Sequence, residues 1–204
     1  MTATARSRNP RGEGARLRDE ILDAAFAVID ETADASSLSL RGVARRAGIS
    51  APSIYSHFAD LTELRDAVLS RSFEQLRDSV SSAVSGETSP SAALIAAGRS
   101  YVGFAWAHPT RYRLMFSTEG YASNAVETFT LVETLIRECA ETGAGSSTNP
   151  RMDAWMLWAG LHGVATLDKP GRSEYLRLGP LDRQSMLEKI IQRLACLEKA
   201  PSVG

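Results

Sequence analysis

The chain has 204 residues, 44% of them apolar, and a formal net charge of −1. That is room for a small module beside a larger domain, with enough apolar content for packed cores. A near-neutral chain has no overall attraction for a polyanion, so any nucleic-acid binding must come from locally concentrated basic residues. Those residues are nearly all arginine, 20 against the three lysines Lys169, Lys189 and Lys199. Arginine suits bidentate contacts to phosphate and to guanine edges. Met1 to Gly14 is polar, without the apolar core of a signal peptide, and no stretch approaches the ~18 consecutive apolar residues of a membrane span. A cytosolic chain with no membrane partner is expected. Cys139 and Cys196 lie on apolar stretches and read as buried free thiols, since a disulfide framework or a zinc site needs more ligands at closer spacing. No metal and no cofactor are expected.

In chain order, residues 1–15 carry Arg6, Arg8 and Arg11 with Pro10, Gly12 and Gly14 and read as a disordered basic arm. A first helix is expected over about 16–32, with Leu17, Ile21, Leu22, Ala25, Phe26, Val28 and Ile29 as its apolar stripe. Ser39 is a good N-cap for a short helix from Leu40 to Ala47, whose inward face is Leu40, Val43, Ala44 and Ala47. Gly48 supplies the turn that ends it. Ser50 caps a third helix from Ala51 to about His57, with Pro52 in its first turn. Asp60 caps a long fourth helix from Leu61 to about Val84. After a break at Gly86 to Ser89, further helices are expected at about 90–107, 109–116, 124–142, 150–167 and 180–199. Their breaks are His108-Pro109, Ser117 to Ser123, Gly143 to Asn149 and Asp168 to Gly179. With no alternating strand pattern, the fold class is all-α: an N-terminal three-helix, helix-turn-helix domain followed by a C-terminal helical bundle. The division expected is a basic arm over 1–15, a helix-turn-helix over 16–60 and a bundle over 61–204.

The stretch Ser39 to Phe58 carries the most specific signal. A helix, a glycine turn and a second short helix are pinned by Val43, Ala44, Ile49 and Ile54, and small Ala44 and Ala47 allow a close crossing. Arg41, Arg45 and Arg46 sit in this stretch with no acid. Ser50, Ser53, Tyr55 and His57 add polar groups around the second helix, chemistry that suits phosphate contacts. The side chains that could read bases are Arg41, Arg45, Ala51, Pro52 and Ser53, so methyl contacts and DNA shape should share the specificity.

At this point residues 16–70 resemble the DNA-binding domain of the tetracycline-repressor (TetR/AcrR) family. The resemblance rests on Ile21-Leu-Asp-Ala-Ala-Phe26, Val43-Ala-Arg-Arg-Ala-Gly-Ile-Ser50, Ile54-Tyr-Ser-His-Phe58 and Leu61-Thr-Glu-Leu64. It implies that Arg41 reaches a guanine edge, that Pro52 packs on a thymine methyl, and that Ser39, Ser53, Tyr55 and His57 hold phosphates. Many members carry a lysine where this chain has Leu61, which implies one phosphate contact fewer.

The C-terminal half holds most of the large aromatics. Trp106-Ala-His-Pro109, Tyr112-Arg-Leu-Met-Phe116 and Trp158-Ala-Gly-Leu-His-Gly163 resemble the WHG-type C-terminal domain of one branch of that family. Most of these residues read as bundle core, but aromatics and methionines between helices also make ligand walls. Candidate ligand contacts are Phe104, Trp106, Tyr112, Met115, Phe129, Trp155, Trp158 and His162. His162 follows Trp158 by four residues on one helix side. The final helix carries Leu187, Ile190, Ile191, Leu194 and Leu197, too apolar for the surface of a monomer, and with the helix at 150–167 it suggests a dimer seam. The expected partners are double-stranded DNA with a palindromic operator, a small-molecule effector and a second copy of the chain. The expected role is a ligand-responsive transcriptional repressor rather than an enzyme. His57, His108 and His162 lack any HExxH, GxSxG or phosphate-loop context. A ligand-free DNA-binding protein or an activator remain the alternatives.

Overall fold

The computed structural model describes residues 13–117, 125–167 and 183–197. The basic arm up to residue 12, Tyr121, and the breaks expected at 118–123 and 168–179 lie outside them. Among the described residues there are nine α-helices and no strand: α1 Glu13–Thr32, α2 Leu40–Arg46, α3 Ala51–Tyr55, α4 Leu61–Ser85, α5 Pro90–Ala107, α6 Pro109–Ser117, α7 Val126–Glu141, α8 Pro150–Leu167 and α9 Arg183–Leu194. None is long and apolar enough to cross a membrane. Two compact units form, Met1–Arg71 and Ser72–Gly204, and the division falls inside α4.

In the first unit, α1 starts at Glu13, three residues earlier than its stripe requires. Ile21, Leu22, Ala25, Phe26 and Ile29 are buried at helical spacing. They meet Val43 and Ala44 of α2, Ile54 of α3, Phe58, and Leu64 and Val68 of α4, all buried in the same core. Each short helix is fixed locally. The Ser39 hydroxyl accepts the Gly42 N–H at 3.2 Å and the Ser50 hydroxyl accepts the Ser53 N–H at 3.3 Å, satisfying donors that a helix start leaves open. Between the two caps, Gly48 takes φ +68°. Its N–H bonds Arg45 O at 3.3 Å and the Ile49 N–H bonds Ala44 O at 3.0 Å, the paired closure of a Schellman turn. Asp60 Oδ1 accepts the Glu63 N–H at 2.9 Å, and Glu63 Oε2 accepts the Ala59 N–H at 2.7 Å. That reciprocal pair starts α4 at Leu61.

In the second unit, Ser89 caps α5 ahead of Pro90. His108 closes α5, and Pro109 opens α6. Gly143, at φ +73°, ends α7. Helices α5, α7, α8 and α9 surround a core of Leu94, Ala97, Val102, Ile136, Leu157, Leu161 and Ile191. Gly98 and Gly160 let α9 approach α5 and α8 closely: a Cβ on Gly98 would lie 2.6 Å from Ile191 Cδ1, and one on Gly160 would collide with Leu194 Cδ1. Of the apolar stripe of α9, Leu187 and Ile191 are buried within the chain, while Ile190, Leu194 and Leu197 are half-buried. The apolar face left exposed is on α8, where Met152, Trp155, Met156 and Leu167 are 41–62% accessible. Both cysteines are free thiols, Cys139 buried and Cys196 half-buried. Cys196 lies past α9, at φ 52° in its terminal turn.

Candidate functional site

The α2–turn–α3 unit turns its polar residues outward. Arg41, Arg45, Ala51 and Pro52 are exposed, Tyr55 is 51% accessible, and Ser53 and His57 are half-buried. Ile54, one residue before Tyr55, is fully buried and sets the rotation of α3: with that side chain in the core, Pro52 and Tyr55 turn outward, and Ala51 is exposed at the first turn of the helix. Ser39 and Ser50 already spend their acceptors on the caps, and the Ser50 and Ser53 hydroxyls bond each other at 2.7 Å. The three arginines of the motif are not equivalent. Arg46 donates to Glu31 Oε1 at 2.8 Å. Among the described residues no ion pair engages Arg41 or Arg45. The sequence counted all three as basic face; the long-range pairing with Glu31 on α1 removes one. Arg18, which continues the basic charge of the N-terminal arm into α1, has its guanidinium 4.6 Å from the centroid of the Phe58 ring and so fastens α1 to the segment that follows α3.

The second unit holds a chamber lined from five helices. Phe73, Leu76 and Val80 of α4 face Leu94, Ala97 and Tyr101 of α5, Phe116 of α6, Thr128, Phe129 and Val132 of α7, and Leu157, Trp158 and Leu161 of α8. Its free volume is only about 30 Å³, so the side chains nearly fill it. An outer cleft of about 620 Å³ lies between α7 and the start of α8, lined by Val126, Glu133, Arg151, Met152 and Trp155. Phe129 and Trp158 belong to both linings and form the wall between them. Of the candidate ligand contacts, Phe129, Trp155 and Trp158 line a cavity. Phe104, Trp106 and Met115 line neither: Met115 is 1% accessible, Phe104 packs edge-on to His108 at 5.0 Å, and Trp106 is 36% accessible.

Tyr112 and His162 stand behind the chamber in a buried polar chain. Trp158 Nε1 donates to the Tyr101 hydroxyl at 3.0 Å. The Tyr101 and Tyr112 oxygens are 2.7 Å apart, and Tyr112 Oη lies 2.8 Å from His162 Nδ1. Burial pushes the Tyr101 phenol up to about 12 and raises Tyr112 as well. Burial also holds the His162 imidazole below its ordinary value. All of these groups are therefore uncharged at neutral pH. Tyr112 and His162 are among the candidate ligand contacts and Tyr101 is not, because its two partners, on α6 and α8, meet it only after folding. Among the described residues no three His, Cys, Asp or Glu side chains converge where a metal could sit.

A capped helix-turn-helix with exposed arginines, followed by an all-helical unit, defines a helix-turn-helix DNA-binding regulator. Residues 21–68 match the family of bacterial regulatory proteins of the tetR type, and residues 94–194 match the tetracyclin repressor-like C-terminal domain. The chain belongs to the TetR/AcrR family of transcriptional regulators. A protein of unknown function from Rhodococcus sp. RHA1 is similar over 92% of this chain and 95% of its own, at 27% identity and a TM-score of 0.72. A TetR/AcrR-family transcriptional regulator from Thermobifida fusca aligns over 87% of this chain and 96% of its own, at 17% identity and a TM-score of 0.69. The fatty acid degradation regulator FadR from Bacillus halodurans covers 93% and is covered over 97%, at 17% identity and a TM-score of 0.68. The last two share the fold.

Proposed function

We propose that the chain is a cytosolic, ligand-responsive repressor that binds a palindromic operator as a homodimer and leaves it when a small molecule enters the C-terminal unit. The observation that carries the reading is the outward face of α2 and α3, where Arg41, Arg45, Ala51, Pro52 and Tyr55 are exposed while Ile54 anchors the helix. Arg41 reads a guanine edge, Arg45 supports it, and Ala51 and Pro52 meet apolar base edges. Ser39, Ser50, Ser53, Tyr55 and His57 hold phosphates and set the register. The exposed apolar face of α8, with Met152, Trp155 and Met156, is the seam for the second copy. Such a patch is costly to leave in water.

The chamber supports a sensor role. It is apolar, lined from α4 to α8, and too full to accept a guest without moving its walls. A guest therefore favours a different arrangement of those helices, and DNA binding selects between arrangements in proportion to the guest's differential affinity. Residues of α4 lie in the helix-turn-helix core (Leu64, Val68) and in the chamber wall (Phe73, Leu76, Val80). That makes α4 the proposed carrier of the change. Footprinting on DNA upstream of the protein's own gene tests the proposal. Protection of two half-sites about one helical turn, ~34–36 Å, apart is expected; a single continuous footprint of no preferred sequence is the opposite result.

A further inference from the structure

The relay behind the chamber specifies what the chamber can hold. Trp158 is a donor only, so the Tyr101 oxygen accepts from it. Tyr101 and Tyr112 each own one hydroxyl proton, and the bonds between them and His162 can run in two directions. Run toward the histidine, Tyr101 donates to Tyr112, Tyr112 donates to Nδ1, and the neutral ring keeps its proton on Nε2. Both tyrosine hydroxyl protons then have an acceptor. Run the other way, the Tyr101 proton is turned out against an apolar wall. Buried polar groups are paired, so the first direction is the resting one. Partial burial lowers the proton affinity of His162, which maintains the neutral ring that this direction needs.

In that state Tyr101 presents the chamber with one lone pair and no proton. A ligand hydroxyl is served at once. At Tyr101 a carbonyl is served only if both tyrosines reverse and the histidine proton moves to Nδ1; the other hydroxyl in the wall, Thr128, stands on α7 and can donate or accept. No Asp, Glu, Lys, Arg or His side chain is in the chamber wall, so an ionised group there would lose its hydration with no counter-charge. Besides Thr128, the remaining wall is aliphatic and aromatic: Phe116 and Phe129 lie 6.4 and 6.1 Å from Trp158, at 60° and 64°, edge-to-face geometry in which a planar guest ring can take a place once the walls move.

We infer that the chamber takes an uncharged aromatic compound bearing a single hydroxyl, which donates to the Tyr101 oxygen. The inference rests on the effector role of the chamber proposed above.

Isothermal titration of the full chain with 2-naphthol, 2-acetylnaphthalene and 2-naphthoate tests it. These probes share a skeleton and present a donor, an acceptor and an anion. In the parent protein 2-naphthol binds about 10-fold or more tighter than either of the others, the scale of one neutral hydrogen bond. Tyr101→Phe, which keeps the ring, removes that advantage. Tyr112→Phe, which lies behind the chamber, strands the Tyr101 proton and raises the affinity for 2-acetylnaphthalene. Equal binding of all three, tightest binding of 2-naphthoate, no binding of any, or an advantage that survives Tyr101→Phe each overturns the inference. The effector role fails separately: if 2-naphthol binds as stated but leaves affinity for operator DNA unchanged, the chamber chemistry stands and the regulatory reading does not.

Discussion

Two glycines on the same helix should respond to the same substitution with opposite sign. A Cβ at position 98 would lie 2.6 Å from Ile191 Cδ1 and 3.0 Å from its Cγ1, where carbon pairs rest at about 3.5–4.0 Å. Ile191 is fully buried, so any retreat of its side chain disturbs the packed core around it. Overpacking of this kind costs about 1–3 kcal/mol, while exchanging glycine for alanine inside a helix returns about 1 kcal/mol. Gly98→Ala should therefore lower stability by about 1 kcal/mol net. At Gly103 a Cβ meets nothing within 4 Å, so Gly103→Ala keeps the propensity gain of about 1 kcal/mol. The two variants should differ by about 2 kcal/mol, or roughly 4–8 °C in Tm for a chain of this length. Adding Ile191→Val removes the Cδ1 that collides. Alone it costs about 0.5–1.5 kcal/mol, but in Gly98→Ala it should restore part of the loss, a coupling of at least about 0.5 kcal/mol. Urea unfolding followed by far-UV circular dichroism, at one protein concentration, reads all four proteins. If Gly98→Ala is as stable as Gly103→Ala, or Ile191→Val adds its full cost to it, α9 does not pack on α5 through that gap.

The helix caps and the half-buried histidine give further expectations. Ser39→Ala removes the acceptor for the Gly42 N–H and should cost about 1 kcal/mol, read as a lowered urea midpoint. Gly48→Ala forces a Cβ into a left-handed turn and should cost roughly 1–2 kcal/mol; an unchanged midpoint would mean that the turn rearranges. For His162 the folded state holds the imidazole below its unfolded value. The unfolded chain therefore binds more protons in the window beneath about pH 6.5, so stability from this group is complete above that pH and falls as pH drops through the window. His162→Gln should flatten that segment of the stability–pH curve, and a slope identical to the parent's would place its origin elsewhere.

The helices were legible because their signals are local. Ser39, Gly48, Ser50, Asp60, Ser89 and His108-Pro109 are each read within four residues, and the helices between them follow from period. The chamber was legible only in part. Phe129, Trp155 and Trp158 face a cavity, whereas Phe104, Trp106 and Met115, equally aromatic or soft in the sequence, are turned elsewhere by the rotation of α5 and α6. Tyr101 could not be singled out, since its partners are 11 and 57 residues away. The stripe on α9 was visible, but its destination was not. Gly98 and Gly160, which open the groove it fills, stand 93 and 31 residues before Ile191. Charge misled for the same reason: Arg46 looks like Arg41 and Arg45 until Glu31, 15 residues back, takes it.

The most direct test concerns the exposed face of α2 and α3. Fluorescence anisotropy with a labelled duplex from the protein's own promoter region, over a range of salt, measures affinity and sequence preference together. Arg41→Ala should weaken binding by about 1–3 kcal/mol and relax preference at one base pair of each half-site, while Tyr55→Ala weakens all sequences alike. A doubly substituted Arg41→Ala, Tyr55→Ala protein that folds normally and binds the duplex with parental affinity, preference and salt slope would contradict the account.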